Sequence, residues 1–170
     1  GNNPAQTREI AKSLKQSVLK VVDKEDKETD YRLFIFDLDQ GVDNLSAKIL
    51  DILDSLTGYA GKSCLVFSGS TQNSDDKFDK YRTLVRPYLS DLKNNLRLIR
   101  VLDLYFAGST PLSDFHVWIC QVIREGKASV ASSEDYPYLP TSATDLTALV
   151  MRSLFVANTA GETFTAAGEE

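Results

Sequence analysis

The chain has 170 residues, 42% of them hydrophobic and 25% charged, the make-up of an ordinary globular domain with enough apolar material for one sizeable core. Its formal net charge is -5 and no basic run interrupts it, so the electrostatic footprint of a nucleic-acid binder is missing. No apolar run approaches the roughly 20 residues that span a bilayer and no signal-like segment opens the chain, which makes no membrane partner and a cytoplasmic location the expectation.

From residue 4 to about residue 22, Ile10, Leu14 and Val18 recur at helical spacing with Val21 or Val22, and Lys12, Lys15 and Lys20 lie off that stripe. One helix accounts for the spacing. A helix over 7–16 followed by a β-branched strand over 18–22 accounts for it equally, and periodicity leaves both open. Residues 23–30 are a mixed-charge connector with nothing to bury. Residues 33–38 form a short continuous apolar run, the mark of a strand covered on both faces. A helix follows over 44–56, with Leu45, Ile49, Ile52, Leu53 and Leu56 on one stripe and an end near Gly58 and Gly61. The next buried strand, Cys64-Leu65-Val66-Phe67, opens into Ser68-Gly69-Ser70-Thr71, and strand, helix, strand at this spacing predicts a parallel crossover.

Another helix is predicted over about 78–92, carrying Tyr81, Leu84, Val85, Tyr88 and Leu89, with a kink or a late start imposed by Pro87. Residues 96–126 then join a strand bearing Leu98, Ile99, Val101, Leu102 and Leu104 to a Gly-Ser-Thr-Pro turn and an amphipathic helix ending at Gly126. Tyr136-Pro137-Tyr138-Leu139-Pro140 forces extended backbone, Ser142 or Thr144 can cap a helix through Leu146, Leu149, Val150 and Leu154, and Glu162-Thr163-Phe164-Thr165 reads as a last strand. The predicted architecture is a single α/β domain over 1–170. It is a three-layer αβα, Rossmann-like parallel sheet with strands near 33–38, 64–68 and 97–104 and a small substrate-side lobe over 126–168.

The chemistry-bearing residues are few. Cys64 and Cys120 both sit in apolar segments and read as buried thiols, and two cysteines on different elements make no zinc site. His116, near Trp118, is the only histidine, which excludes a multi-histidine metal centre.

The order of several weak motifs resembles the extended short-chain dehydrogenase/reductase family, the NAD(P)-dependent sugar-nucleotide epimerases and dehydratases. Arg100-Val101-Leu102-Asp103-Leu104-Tyr105-Phe106 is similar to that family's arginine-leucine strand and Tyr-Gly turn. Residues 111–126 are similar to the helix after it, and Thr141-Ser142-Ala143-Thr144-Asp145-Leu146 with Gly161-Glu162-Thr163-Phe164 to its Val-x-Asp segment and closing strand. With Asn44 opening a helix and Ser68-Gly69-Ser70 ending a strand, the likeness covers residues 31–168. It implies Tyr81 as the acid/base tyrosine, Ser70 as the hydroxyl that bonds substrate, and Ser68, Tyr105 and Tyr138 as further substrate-binding positions.

The chain departs from that pattern where the chemistry is most exacting. The family's tyrosine needs a lysine four residues on to supply a cation beside the phenol, and that position is Val85. The glycine-rich turn that holds the dinucleotide pyrophosphate would fall at Gly1-Asn2-Asn3-Pro4-Ala5-Gln6-Thr7, where only Gly1 fits. Tyr138 stands where the family carries a phosphate-binding arginine. The resemblance therefore implies a degenerate, N-terminally truncated and non-catalytic relative. No cofactor is expected from this chain, with NAD(P) bound only if the missing elements are supplied. Association as a homodimer or within a larger assembly is expected through the helices 44–56 and 78–92.

Two rival readings stand beside it. One is a fragment of an active sugar-nucleotide epimerase or dehydratase. The other rests on Phe34-Ile35-Phe36-Asp37-Leu38-Asp39, which resembles the first motif of haloacid-dehalogenase-type phosphatases. That likeness implies Asp37 as nucleophile and Asp39 as acid/base beside Mg²⁺, with Ser68 as the hydroxyl of the next motif.

Overall fold

The computed structural model describes residues 4–16, 29–39, 43–70, 74–91, 94–105, 121–127 and 140–167. In chain order the elements are α1 (Pro4–Gln16), β1 (Tyr31–Asp37), α2 (Leu45–Leu56), β2 (Lys62–Gly69), α3 (Ser74–Ser90), β3 (Leu96–Leu102), β4 (Leu104–Tyr105), β5 (Thr141–Ser142), α4 (Ala143–Phe155) and β6 (Thr163–Ala166). Four strands form one sheet in the order β1-β2-β3-β6, and every neighbouring pair is parallel. The chain is an α/β protein with helices flanking a parallel sheet, consistent with a Rossmann-like fold. No described helix is long and apolar enough to cross a membrane.

The alternation of side chains along β2 divides the core into two apolar clusters. Leu65 and Phe67 join Phe36, Leu96 and Leu98 beneath α2 and α3, which contribute Leu45, Ile49, Leu53, Leu56, Phe78, Val85 and Leu89. Cys64 and Val66 join Ile35, Ile99 and Val101 beneath α1 and α4, which contribute Ile10, Leu14, Leu146, Val150 and Leu154. The predicted stripe of α2 is buried as expected except at Ile52, which packs half-exposed against the first cluster.

Local chemistry sets the helix ends. Ser142 caps α4 by accepting the Asp145 N–H at 3.0 Å. Asn44 precedes α2 in a left-handed conformation at φ 62° and caps through its backbone carbonyl, which takes the Lys48 N–H, with no bond from its side chain. At the far end of the predicted helix over 111–126, residues 121–125 are helical and Gly126 stops them at φ 71°, its N–H returning to Val122. α3 begins at Ser74, earlier than predicted, and runs on through Pro87 to Ser90.

Two features redraw the C-terminal part. The strand expected over 97–104 is broken at Asp103, whose φ of 46° ends β3 and turns the chain into β4. β4 pairs with β5 as a separate two-stranded ribbon. Within 126–168, α4 lies on the second cluster and β6 joins the main sheet beside β3, with Phe164 opposite Ile99.

Candidate functional site

Because all four strands run the same way, their carboxyl ends collect the loops on one side of the sheet, the usual place for ligands in open α/β folds. Asp37 is the last residue of β1, Ser68 and Gly69 close β2, and Leu102 closes β3. The register sets Asp37 opposite Ser68 and Gly69 opposite Leu102, so β1, β2 and β3 end side by side.

Ser68 is 2% exposed, and its hydroxyl is used within the fold. It accepts a hydrogen bond from Gln6 Nε2 of α1 at 2.8 Å and donates to the Phe36 carbonyl at 3.3 Å. It therefore ties one helix and two strands together where the sheet ends. Gln6 itself is buried, one turn before Ile10 on the same face of α1. Gln6 is not among the candidates that the sequence singles out, although its place on the 6-10-14 stripe is a detectable signal, since a polar side chain on a buried face requires a partner.

Ser70 faces Asp39. The Ser70 N–H donates to Asp39 Oδ2 at 2.6 Å and its hydroxyl lies 3.4 Å from Oδ1. The Asp39 N–H donates to Asp37 Oδ1 at 3.0 Å, which curls the chain after β1 into an Asx-type turn. Lys77, from the first turn of α3, donates to the Leu38 carbonyl at 3.1 Å. Asp39 keeps an exposed surface, yet desolvation of its carboxyl lifts it above its ordinary pKa and the Asp37 charge adds to the rise, while the Ser70 N–H, Lys77 and the Ser70 hydroxyl act the other way. Beside this cluster, the Asp103 N–H donates to the Gly69 carbonyl and the Asp103 carbonyl accepts from Thr141, which hangs the β4–β5 ribbon from the same end of the sheet.

Of the residues implied by the first resemblance, Ser68 and Ser70 lie together at this edge. Tyr105 is half-buried in β4, opposite Ser142. Tyr81 belongs to the apolar cluster under α2 and α3. Its ring centroid is 5.9 Å from that of Phe67, and the Lys80 ammonium lies 5.4 Å from its ring. Tyr138, His116, Trp118, Cys120 and the 18–22 segment lie outside the described residues.

Neither implied cofactor finds its fittings among the described residues. For a dinucleotide, the helix start offers Pro4, which has no N–H to give a phosphate. For Mg²⁺, no group of three or more His, Cys, Asp or Glu side chains is placed to hold a metal ion among the described residues. A cleft elsewhere lies along the C-terminal half of α3, lined by Arg82, Arg86, Leu89, Gly161 and Thr163. Comparison with protein-family models, with curated proteins and with solved structures returned no match.

Proposed function

We propose that this chain is a degenerate epimerase/dehydratase-like domain, a three-layer αβα body that acts as a non-catalytic interaction or regulatory module. The observation that carries the reading is Val85. The position where the family's catalytic lysine would fall is fully buried in the apolar cluster between α3 and the sheet, where an ammonium group is cut off from water. Support for the resemblance itself comes from the neighbours of β3. The segments likened to the arginine-leucine strand, the Val-x-Asp segment and the closing strand meet as β3–β4, β5 and β6.

Association is the remaining part of the proposal, as a homodimer or within a larger assembly. Leu84 is half-exposed on α3, whereas Tyr88 leans on α2 and donates its hydroxyl to Asp54. Ile123 is 77% exposed and Phe155 47% exposed, so apolar area is present on more than one face. Calorimetry with NAD and NADP tests the first part, the expected result being no micromolar binding. Micromolar binding overturns it. Light scattering tests the second: a monomer at high micromolar concentration, unchanged by Leu84→Asp or Ile123→Asp, removes it.

The phosphatase reading keeps one favourable observation, the gathering of Asp37, Asp39, Ser70 and Lys77 around the end of β1. Turnover of an aryl phosphate with Mg²⁺, abolished in Asp37→Asn, would establish it in place of the first.

A further inference from the structure

The contacts of Asp39 form a bridge between two loops. Asp39 follows β1 and Ser70 follows β2, and 31 residues of chain separate them. Besides the strand ladder, the Leu38 N–H bond to the Ser68 carbonyl and the Ser68 hydroxyl bond to the Phe36 carbonyl, the two exits are joined by one carboxylate receiving both donors of one serine. The bridge is oriented from below by the Asp39 N–H bond to Asp37 and from the side by Lys77 on the Leu38 carbonyl. We propose that Asp39 is an acid-released latch: as the carboxylate it clasps Ser70 and holds the ends of β1 and β2 closed, and protonation frees the Ser70 N–H and hydroxyl.

The chemistry follows from what a carboxyl group can accept. As a carboxylate, both oxygens are acceptors and the bond from the Ser70 N–H is charge-assisted, the stronger class of hydrogen bond. Adding a proton turns one oxygen into a donor that faces the Ser70 donors, so part of the clasp is lost and the rest weakens to a neutral bond. The charged groups that act on the latch are Asp37 from β1, which favours release, and Lys77 from α3, which opposes it. Near the start of α3, Asp75 pairs with Arg100, which also lies over the Phe78 ring. Asp39 keeps an exposed surface, but desolvation of its carboxyl together with the Asp37 charge outweighs the donors, so the latch opens at a milder acidity than an ordinary aspartate would require. The inference does not depend on the fold family or on the proposed function.

Proton–nitrogen NMR of the intact chain through an acid titration tests it. The Ser70 amide proton should resonate downfield at neutral pH and move upfield on acidification, with a midpoint above the ordinary aspartate value of about 3.9. The same midpoint should appear at the Asp39 carboxyl carbon. Asp37→Asn should lower that midpoint, because it removes the like charge while keeping an oxygen for the Asp39 N–H. Lys77→Met should raise it. Asp39→Asn is nearly isosteric and should abolish the Ser70 titration while the rest of the spectrum stays dispersed. A Ser70 amide that does not titrate, that titrates at or below the ordinary value, or that still titrates in Asp39→Asn overturns the latch.

Discussion

Replacing Arg97 by methionine puts the energetics of this fold to a direct test. Arg97 lies on β3, is 2% exposed, and among the described residues meets neutral acceptors: the Ser153 carbonyl at 3.0 Å, Thr159 Oγ1 at 3.0 Å, and both the carbonyl and the side-chain oxygen of Asn95. Ser153 lies in the last turn of α4, so the guanidinium also faces the negative end of that helix, where Lys62 binds the adjoining Leu154 carbonyl at 2.7 Å. Four hydrogen bonds to a charged group, at about 1.5–3 kcal/mol each, give a gross contribution of roughly 6–12 kcal/mol. Burial of the guanidinium opposes this by several kcal/mol, and methionine recovers that cost while keeping the apolar stem. The net expectation for Arg97→Met is a loss of about 2–4 kcal/mol, because Asn95 Oδ1 loses its guanidinium donor and the Ser153 and Asn95 carbonyls keep only their bonds from Thr159 and Ser63. With a urea m-value of about 1–3 kcal/mol/M, the unfolding midpoint should fall by roughly 1–2 M. Arg97→Lys should fall between the two, since a single ammonium cannot span acceptors on three segments. A midpoint unchanged or raised in Arg97→Met would refute the claim that the fan of hydrogen bonds outweighs the cost of burying the charge.

Three further outcomes are expected. Val85→Lys, which introduces the tyrosine–lysine spacing of the enzymes that the sequence resembles, should cost about 3–5 kcal/mol of stability in chemical denaturation and confer no NAD binding, because the new ammonium enters the cluster under α3. The Cys64 thiol, pushed up to about 12 by complete burial, should resist alkylation in the folded protein. Because its folded pKa lies above the unfolded value, its contribution is fully present below about pH 8.5. It should be lost at up to about 1.4 kcal/mol per pH unit as pH rises from there toward 12, and a Cys64→Ala variant should show a shallower alkaline slope in denaturation series. Ser142→Ala removes the side-chain cap of α4 and should lower stability by about 1 kcal/mol, measurable as a drop in Tm of a few degrees.

Local residue patterns dictate the alternation of strands and helices and the buried faces of most of them. Leu45, Ile49, Leu53 and Leu56 recur every three or four residues, and Cys64 to Phe67 form an unbroken apolar run. These signals are local, since helix and strand periods are written within a few turns of chain. The tertiary structure decided the rest. It put β6 beside β3, ended β3 at Asp103, and brought Gln6 to Ser68, Asp39 to Ser70 and Arg97 to Ser153 across 62, 31 and 56 residues. Each of these pairings is set by which elements become neighbours on the sheet, and a polar residue carries no local sign of its distant partner. Even Pro87 illustrates the division: the sequence marks the missing N–H, but the packing of Val85 and Leu89 under α3 carries the helix through it to Ser90.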